Sequence, residues 1–182
     1  VMHSLMYFPF LILLAVTTTL EINHQLPESM KFLHGDVYRA YTAVGDIAGV
    51  LFLIGVVWAL LRRYGPKRFR PYRIRIKSKP EHAVVLLIFL SIGVTGFGAE
   101  AFRIALVESS ARSAETWSII GYPLAKIVDS SDSLTNNVHG WHQFWWIAHV
   151  ISFIAFLALL PITMIRHMFT SPLNMYLKDR ER

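Results

Sequence analysis

The 182-residue chain contains no cysteine. That absence excludes disulfides, thiolate zinc sites, a cysteine nucleophile and any iron–sulfur cluster ligated from within the chain. Charged residues are scarce too, at 16% of the chain against roughly a quarter in an ordinary soluble domain. A free-standing cytosolic enzyme does not fit that composition. Disorder does not fit either, because 54% of the residues are hydrophobic and 13% aromatic. No basic residue leads into the first apolar run, and no small-residue cleavage site follows it before Glu21, so a signal peptide is not expected there.

What is present is a set of long apolar runs. About 20 mostly apolar residues span a bilayer as a helix. Four segments approach or reach that length: Met2 to Leu20, Val44 to Leu61, Ala83 to Ile104, and Phe144 to Ile165. Each ends in polar or charged residues, and in lipid only a helix satisfies its own backbone within such a segment. Gly93, Gly96 and Gly98 would weaken a soluble helix, but in a bundle they allow close packing. Pro9 and Pro161 are expected to kink the first and fourth helices. The expected fold is an all-α membrane protein, a bundle of four transmembrane helices.

The net charge of +6 first suggests nucleic acid, but its distribution says otherwise. The loop between the second and third spans, together with the tail from Arg166, holds 13 of the 18 basic residues. The loop from Glu21 to Ala43 carries only Lys31 and Arg39. The loop from Ala105 to Gln143 carries Arg112 and Lys126 beside the acids Glu108, Glu115, Asp129 and Asp132. By the positive-inside rule the basic side is cytoplasmic, with both termini on it. Juxtamembrane basic residues also attract anionic lipid or an acidic partner, and no nucleic-acid partner is expected. The chain begins at Val1, almost inside an apolar run, and ends in the charged residues Lys178 to Arg182. A portion of a longer protein is therefore expected. Within the third loop, the apolar patch Trp117 to Val128 suggests a short interfacial helix.

Histidines supply the chemistry. An ionisable residue inside a membrane span is a functional candidate by default. His149 lies in the fourth span and His167 just past its inner end, 18 residues away. On one unbroken helix that spacing is five turns, placing both on one face roughly 27 Å apart. Neutral imidazole is a good axial ligand for haem iron, and bis-histidine ligation needs a second helix with histidines at matching depth. The first helix offers His3 at the depth of His167 and His24 near that of His149. His3–His167 and His24–His149 are therefore the expected pairs, one towards each side of the bilayer. His142, seven residues before His149, is the reserve, either replacing it or bonding a haem propionate.

Other histidines and charges have plainer readings. His34, His82 and His139 sit at interfaces, where such rings cap helices, bond water or meet headgroups. His82 doubles as a candidate donor to a quinone oxygen. Asp46, Glu100 and Arg103 belong to one leaflet and are expected to form a buried ion-pair group or a proton route beside a quinone. Arg62, Arg63 and Arg166 are propionate candidates or topology residues. Trp117, Trp141, Trp145 and Trp146 lie where an outer aromatic belt is expected.

The stretch AHVISFIAFLALLPITMIRHMFTSPLNMYL, Ala148 to Leu177, resembles the last helix of the respiratory nitrate reductase gamma-subunit family. Two haem-binding histidines 18 residues apart and a following S-P-x-x-Y segment mark that helix; His149 and His167 have that spacing here, and a similar segment, Ser171–Pro172 with Tyr176, follows. VGDIAGVLFLIGVVWALLRR with its basic loop resembles the family's preceding helices. The whole chain looks closer still to the membrane domain fused to iron–sulfur reductases of the heterodisulfide-reductase type. Within those it is most like bacterial electron-transfer-flavoprotein:menaquinone oxidoreductases. The family bears two histidines ten residues apart on an earlier helix. His3 matches the first, and Leu13 stands where the second would be. The resemblance thus implies an inner haem on His3 and His167, and an outer haem on His149 with its partner missing or supplied by His24.

The resulting expectation treats residues 1–182 as one nitrate reductase gamma-like transmembrane cytochrome b domain in a bacterial cell membrane. One or two haem b groups would pass electrons between cytoplasmic iron–sulfur modules, outside this chain, and menaquinone. The implied donor is an electron-transfer flavoprotein reduced in fatty-acid β-oxidation. The residues alone leave two rivals, a haem-free membrane anchor and a small transporter or proton channel. No internal repeat or interrupted-helix pair supports the transporter.

Overall fold

The computed structural model describes residues 2–66, 80–107, 112–163 and 166–178. The basic stretch 67–79, the terminal Arg180 and Arg182 and the side chain of His167 lie outside the described residues. Among the described residues, four helices are long and apolar enough to cross a membrane. They are α1 (Met2–Gln25), α2 (Gly35–Tyr64), α3 (Pro80–Leu106) and α6 (Val138–Leu159). Two short helices, α4 (Gly121–Asp129) and α5 (Asp132–Thr135), lie between α3 and α6, and α7 (His167–Leu177) follows. No strand occurs among the described residues.

The helices outrun the apolar cores that mark them in sequence. α2 begins at Gly35, whose φ of 55° turns the chain in from His34, and an Asp36–Arg39 ion pair of 2.9 Å supports its first turn. Leu26–His34 and the segment from Arg112 to Asn137 lie together at one end of the bundle, hereafter the loop end. Asn23, buried on α1, accepts hydrogen bonds from the backbone N–H groups of Phe32 (3.0 Å) and Leu33 (3.1 Å), which fixes the turn into α2.

The centre of the bundle is a layer of four phenylalanines, one from each span. Phe10, Phe52, Phe89 and Phe156 are all buried. Phe10 meets Phe156 with ring centroids 5.3 Å apart, and Phe89 meets both Phe52 and Phe156 at 5.6 Å. Such aromatic pairs contribute about 0.5–1.5 kcal/mol beyond area burial. In lipid, where apolar burial between helices gains little, close packing and polar contacts hold spans together.

Glycines set the spacing around that layer. A Cβ on Gly93 would stand 2.5 Å from Leu53 of α2, and one on Gly98 would stand 2.5 Å from the Trp145 ring of α6. The small-residue expectation for α3 therefore holds on two faces. α4 buries Gly121, Ala125 and Val128 and packs against α3, while Trp117, Ile119 and Ile127 remain exposed. A short helix thus forms within the apolar patch and packs against α3.

One expectation is corrected. The fourth span was expected to continue from Phe144 to Ile165, with His149 and His167 on one helix. Instead α6 ends at Leu159, the chain turns through Ile162 and Thr163, and α7 starts at His167. Pro161 explains the break: it has no N–H to donate, and its ring crowds the preceding turn. The five-turn relation assumed one unbroken helix, and α6 stops at Leu159. Pro9, by contrast, sits buried inside an uninterrupted α1.

Candidate functional site

The seam between α3 and α6 places His149 inside the bundle. Its Nδ1 lies 3.1 Å from the main-chain oxygen of Ile92 and 3.1 Å from Oγ1 of Thr95. Gly96 lets the imidazole lie against α3, since a Cβ there would stand 3.3 Å from Cε1 of His149. One turn along, the Ser91 and Ser152 hydroxyls meet at 2.7 Å. Ser152 donates its proton to the carbonyl of Ala148, so Ser91 is the donor to Ser152. The chain therefore builds a polar cradle for one imidazole in an otherwise apolar seam.

The remaining histidines have different settings. His3 and His24 are exposed near the two ends of α1. His34 stands at the N-cap position of α2 without a side-chain capping bond and is exposed, as is His139, while His82 and His142 are half-buried. The Phe10–Phe156 contact gives a common level for α1 and α6. His149 lies seven residues from Phe156 towards the loop end, or about 10 Å of helix. His24 lies fourteen residues from Phe10 in the same direction, about 21 Å along α1. The structure therefore does not bring His24 to the level of His149. Thr17 stands there instead, its hydroxyl bonded to the Leu13 carbonyl at 2.9 Å. Leu13 packs against the phenylalanine core.

The charged group at the loop end differs from expectation. Arg103 does not pair with Asp46 or Glu100. It forms a forked ion pair with Glu115 at 2.9 and 3.2 Å, and the Tyr38 hydroxyl donates to the same carboxylate at 2.8 Å. Asp46, 2% exposed, accepts from Ser118 Oγ (3.0 Å) and from the backbone N–H groups of Ile120 (2.6 Å) and Gly121 (3.3 Å). Ser118 also lies 2.9 Å from Glu100. These contacts pin the 112–121 segment onto α2 and α3, a structural use of buried charge. The partners Tyr38, Glu115 and Ser118 were not legible, because they meet only when a loop folds back. Thr95 was missed as well, although a signal for it exists: Ser91 and Thr95 are hydroxyl residues one turn apart in an apolar span, the pattern of a face turned to a polar partner.

An axial haem ligand must present an unprotonated ring nitrogen and be held in orientation by its other nitrogen. The described residues give His149 Nδ1 two partners and give Nε2 none. His149 thus fits the role. Among the described residues, no three histidines or carboxylates gather as a metal cluster, whereas a haem iron can be held by a single axial histidine.

The fold is therefore that of a multi-pass helical membrane protein with one imidazole held within its bundle. The family model described as nitrate reductase gamma subunit matches residues 7–181, and the chain belongs to that family. A curated relative from Syntrophomonas wolfei, EtfAB:quinone oxidoreductase, is 30% identical over 192 residues. That match covers 99% of this chain and 25% of the relative, so the chain spans about a quarter of the relative's length. No solved structure matches. Family and relative alike are named as parts of oxidoreductases.

Proposed function

We propose that this chain is a cytochrome b domain that passes electrons between cytoplasmic iron–sulfur or flavoprotein modules and menaquinone. The observation carrying this reading is the cradle of His149, which leaves Nε2 as the nitrogen available to iron. Haem, when bound, supplies a one-electron carrier within the low-dielectric bundle. Menaquinone takes up two electrons and two protons to become the quinol, so the domain delivers electrons one at a time for each two-electron reduction.

The assignment of ligands follows the same lines. His149 holds the haem nearer the loop end. His3 and His167 hold a second haem nearer the opposite end, an assignment supported by the family resemblance. His24 stays outside the assignment because it lies about 10 Å beyond the level of His149. The basic side is cytoplasmic, with both termini there, in a bacterial cell membrane. Iron–sulfur clusters belong to further domains or to a partner, since this chain has no cysteine. The relative's name supports an electron-transfer flavoprotein as donor and a quinone as acceptor.

The test uses membranes carrying the full-length protein, with reduced electron-transfer flavoprotein as donor and a short-chain menaquinone analogue as acceptor. Quinone reduction is expected, and His149→Ala should largely abolish it. A His149→Ala protein reducing the quinone at the parental rate would overturn the proposal.

A further inference from the structure

We infer that Thr95 is a positioning residue for His149: its side-chain oxygen fixes the imidazole tautomer and tunes the potential of the haem that His149 holds. This rests on His149 being a haem ligand, and it is argued from the donor and acceptor count around one nitrogen. A main-chain carbonyl can only accept, so the 3.1 Å contact from Nδ1 to the Ile92 oxygen requires the proton to sit on Nδ1. The Thr95 hydroxyl has one proton, and that proton points at the Ser91 carbonyl, 2.6 Å away. What Thr95 offers Nδ1, at 3.1 Å, is therefore a lone pair. Both neighbours of Nδ1 are acceptors, so the N–H is shared between them and Nε2 carries the ring's lone pair.

The cradle is built to keep that arrangement. Thr95 is 8% exposed, and its bond back to Ser91, one helical turn earlier, selects the side-chain rotamer that brings the oxygen to the ring. Gly96 leaves room for the imidazole at van der Waals distance from α3. The Ser91–Ser152 bond one turn away holds the register of α6 against α3. Hydrogen bonds of this kind orient a metal-ligating histidine and raise its basicity. A more basic ligand favours the ferric over the ferrous state, so the Thr95 oxygen holds the haem potential down.

The test is potentiometry of the purified full-length protein, read in the haem α-band, with electron paramagnetic resonance of the ferric state. Thr95→Val, of similar shape but without the oxygen, is expected to raise the potential of one haem. The expected change is about threefold in the ferrous-to-ferric ratio at fixed potential, or about 30 mV at 59 mV per tenfold. Thr95→Ala should move it in the same direction, which covers the case in which valine does not assemble. Thr95→Ser should restore the parental potential and spectrum. Parental potentials in both Thr95→Val and Thr95→Ala would overturn the inference, as would a Thr95→Ser protein shifted like Thr95→Val. His149→Ala separates the two levels. Loss of one haem there, with Thr95 variants unshifted, refutes only the role of Thr95. Unchanged haem content in His149→Ala refutes the ligand assignment itself.

Discussion

The Nδ1 atom of His149 stands 3.1 Å from the main-chain oxygen of Ile92, so an imidazole on one span is tied to the backbone of another. That single contact links the packing of α3 against α6 to the chemistry of the ring. Whatever separates the two helices also frees the histidine.

The α3–α6 seam is the first place to test it. Gly98 has no room for a side chain, because its Cβ would stand 2.5 Å from the Trp145 ring. Gly98→Leu forces the two helices apart, at about 1–3 kcal/mol or more for such overpacking. Thermal unfolding of the detergent-solubilised protein should show a lower midpoint, with loss of one haem. An unchanged midpoint and haem content would mean that the seam is not packed as described.

A second prediction concerns the forked pair between Arg103 and Glu115. Glu115 is 5% exposed and serves both Arg103 and Tyr38. Glu115→Gln leaves the guanidinium without its carboxylate and should destabilise the fold by several times as much as Tyr38→Phe, which removes one hydrogen bond of about 1 kcal/mol. Chemical denaturation of the two variants side by side checks the order. Equal effects would contradict the pairing.

The four spans were legible because length and apolar content suffice for them, and their glycines behaved as small residues in a seam should. Boundaries were less so. α2 begins at Gly35 and α3 at Pro80, each ahead of its apolar run, because polar turns also remain helical. Pro161 was visible as a kink, but whether it bends a helix or ends it depends on what packs beside it. Here α6 ends at Leu159, before it. Arg103 was seen as needing a partner, yet Glu115 reached it from a loop whose return path no periodicity encodes. His149 stood out in sequence as the histidine inside a span, and the structure supplies the reason for its orientation.

The level of α1 against α6 yields a third prediction. The contact between Phe10 and Phe156, at 5.3 Å, sets Thr17 rather than His24 opposite His149. His24→Ala should leave the haem content unchanged, while His3→Ala and His167→Ala should each remove the same single haem. A pyridine haemochrome count on each variant decides it. Loss of haem in His24→Ala would show that α1 sits in a different register from the one described.

The most direct measurement is a dithionite-reduced minus oxidised spectrum of the purified full-length protein, with a pyridine haemochrome count per polypeptide for the parent and for His149→Ala. The account predicts haem b in the parent and one haem fewer in His149→Ala, with the helical content of the variant unchanged. A fully assembled parent without haem b absorbance would contradict it and leave a haem-free membrane anchor.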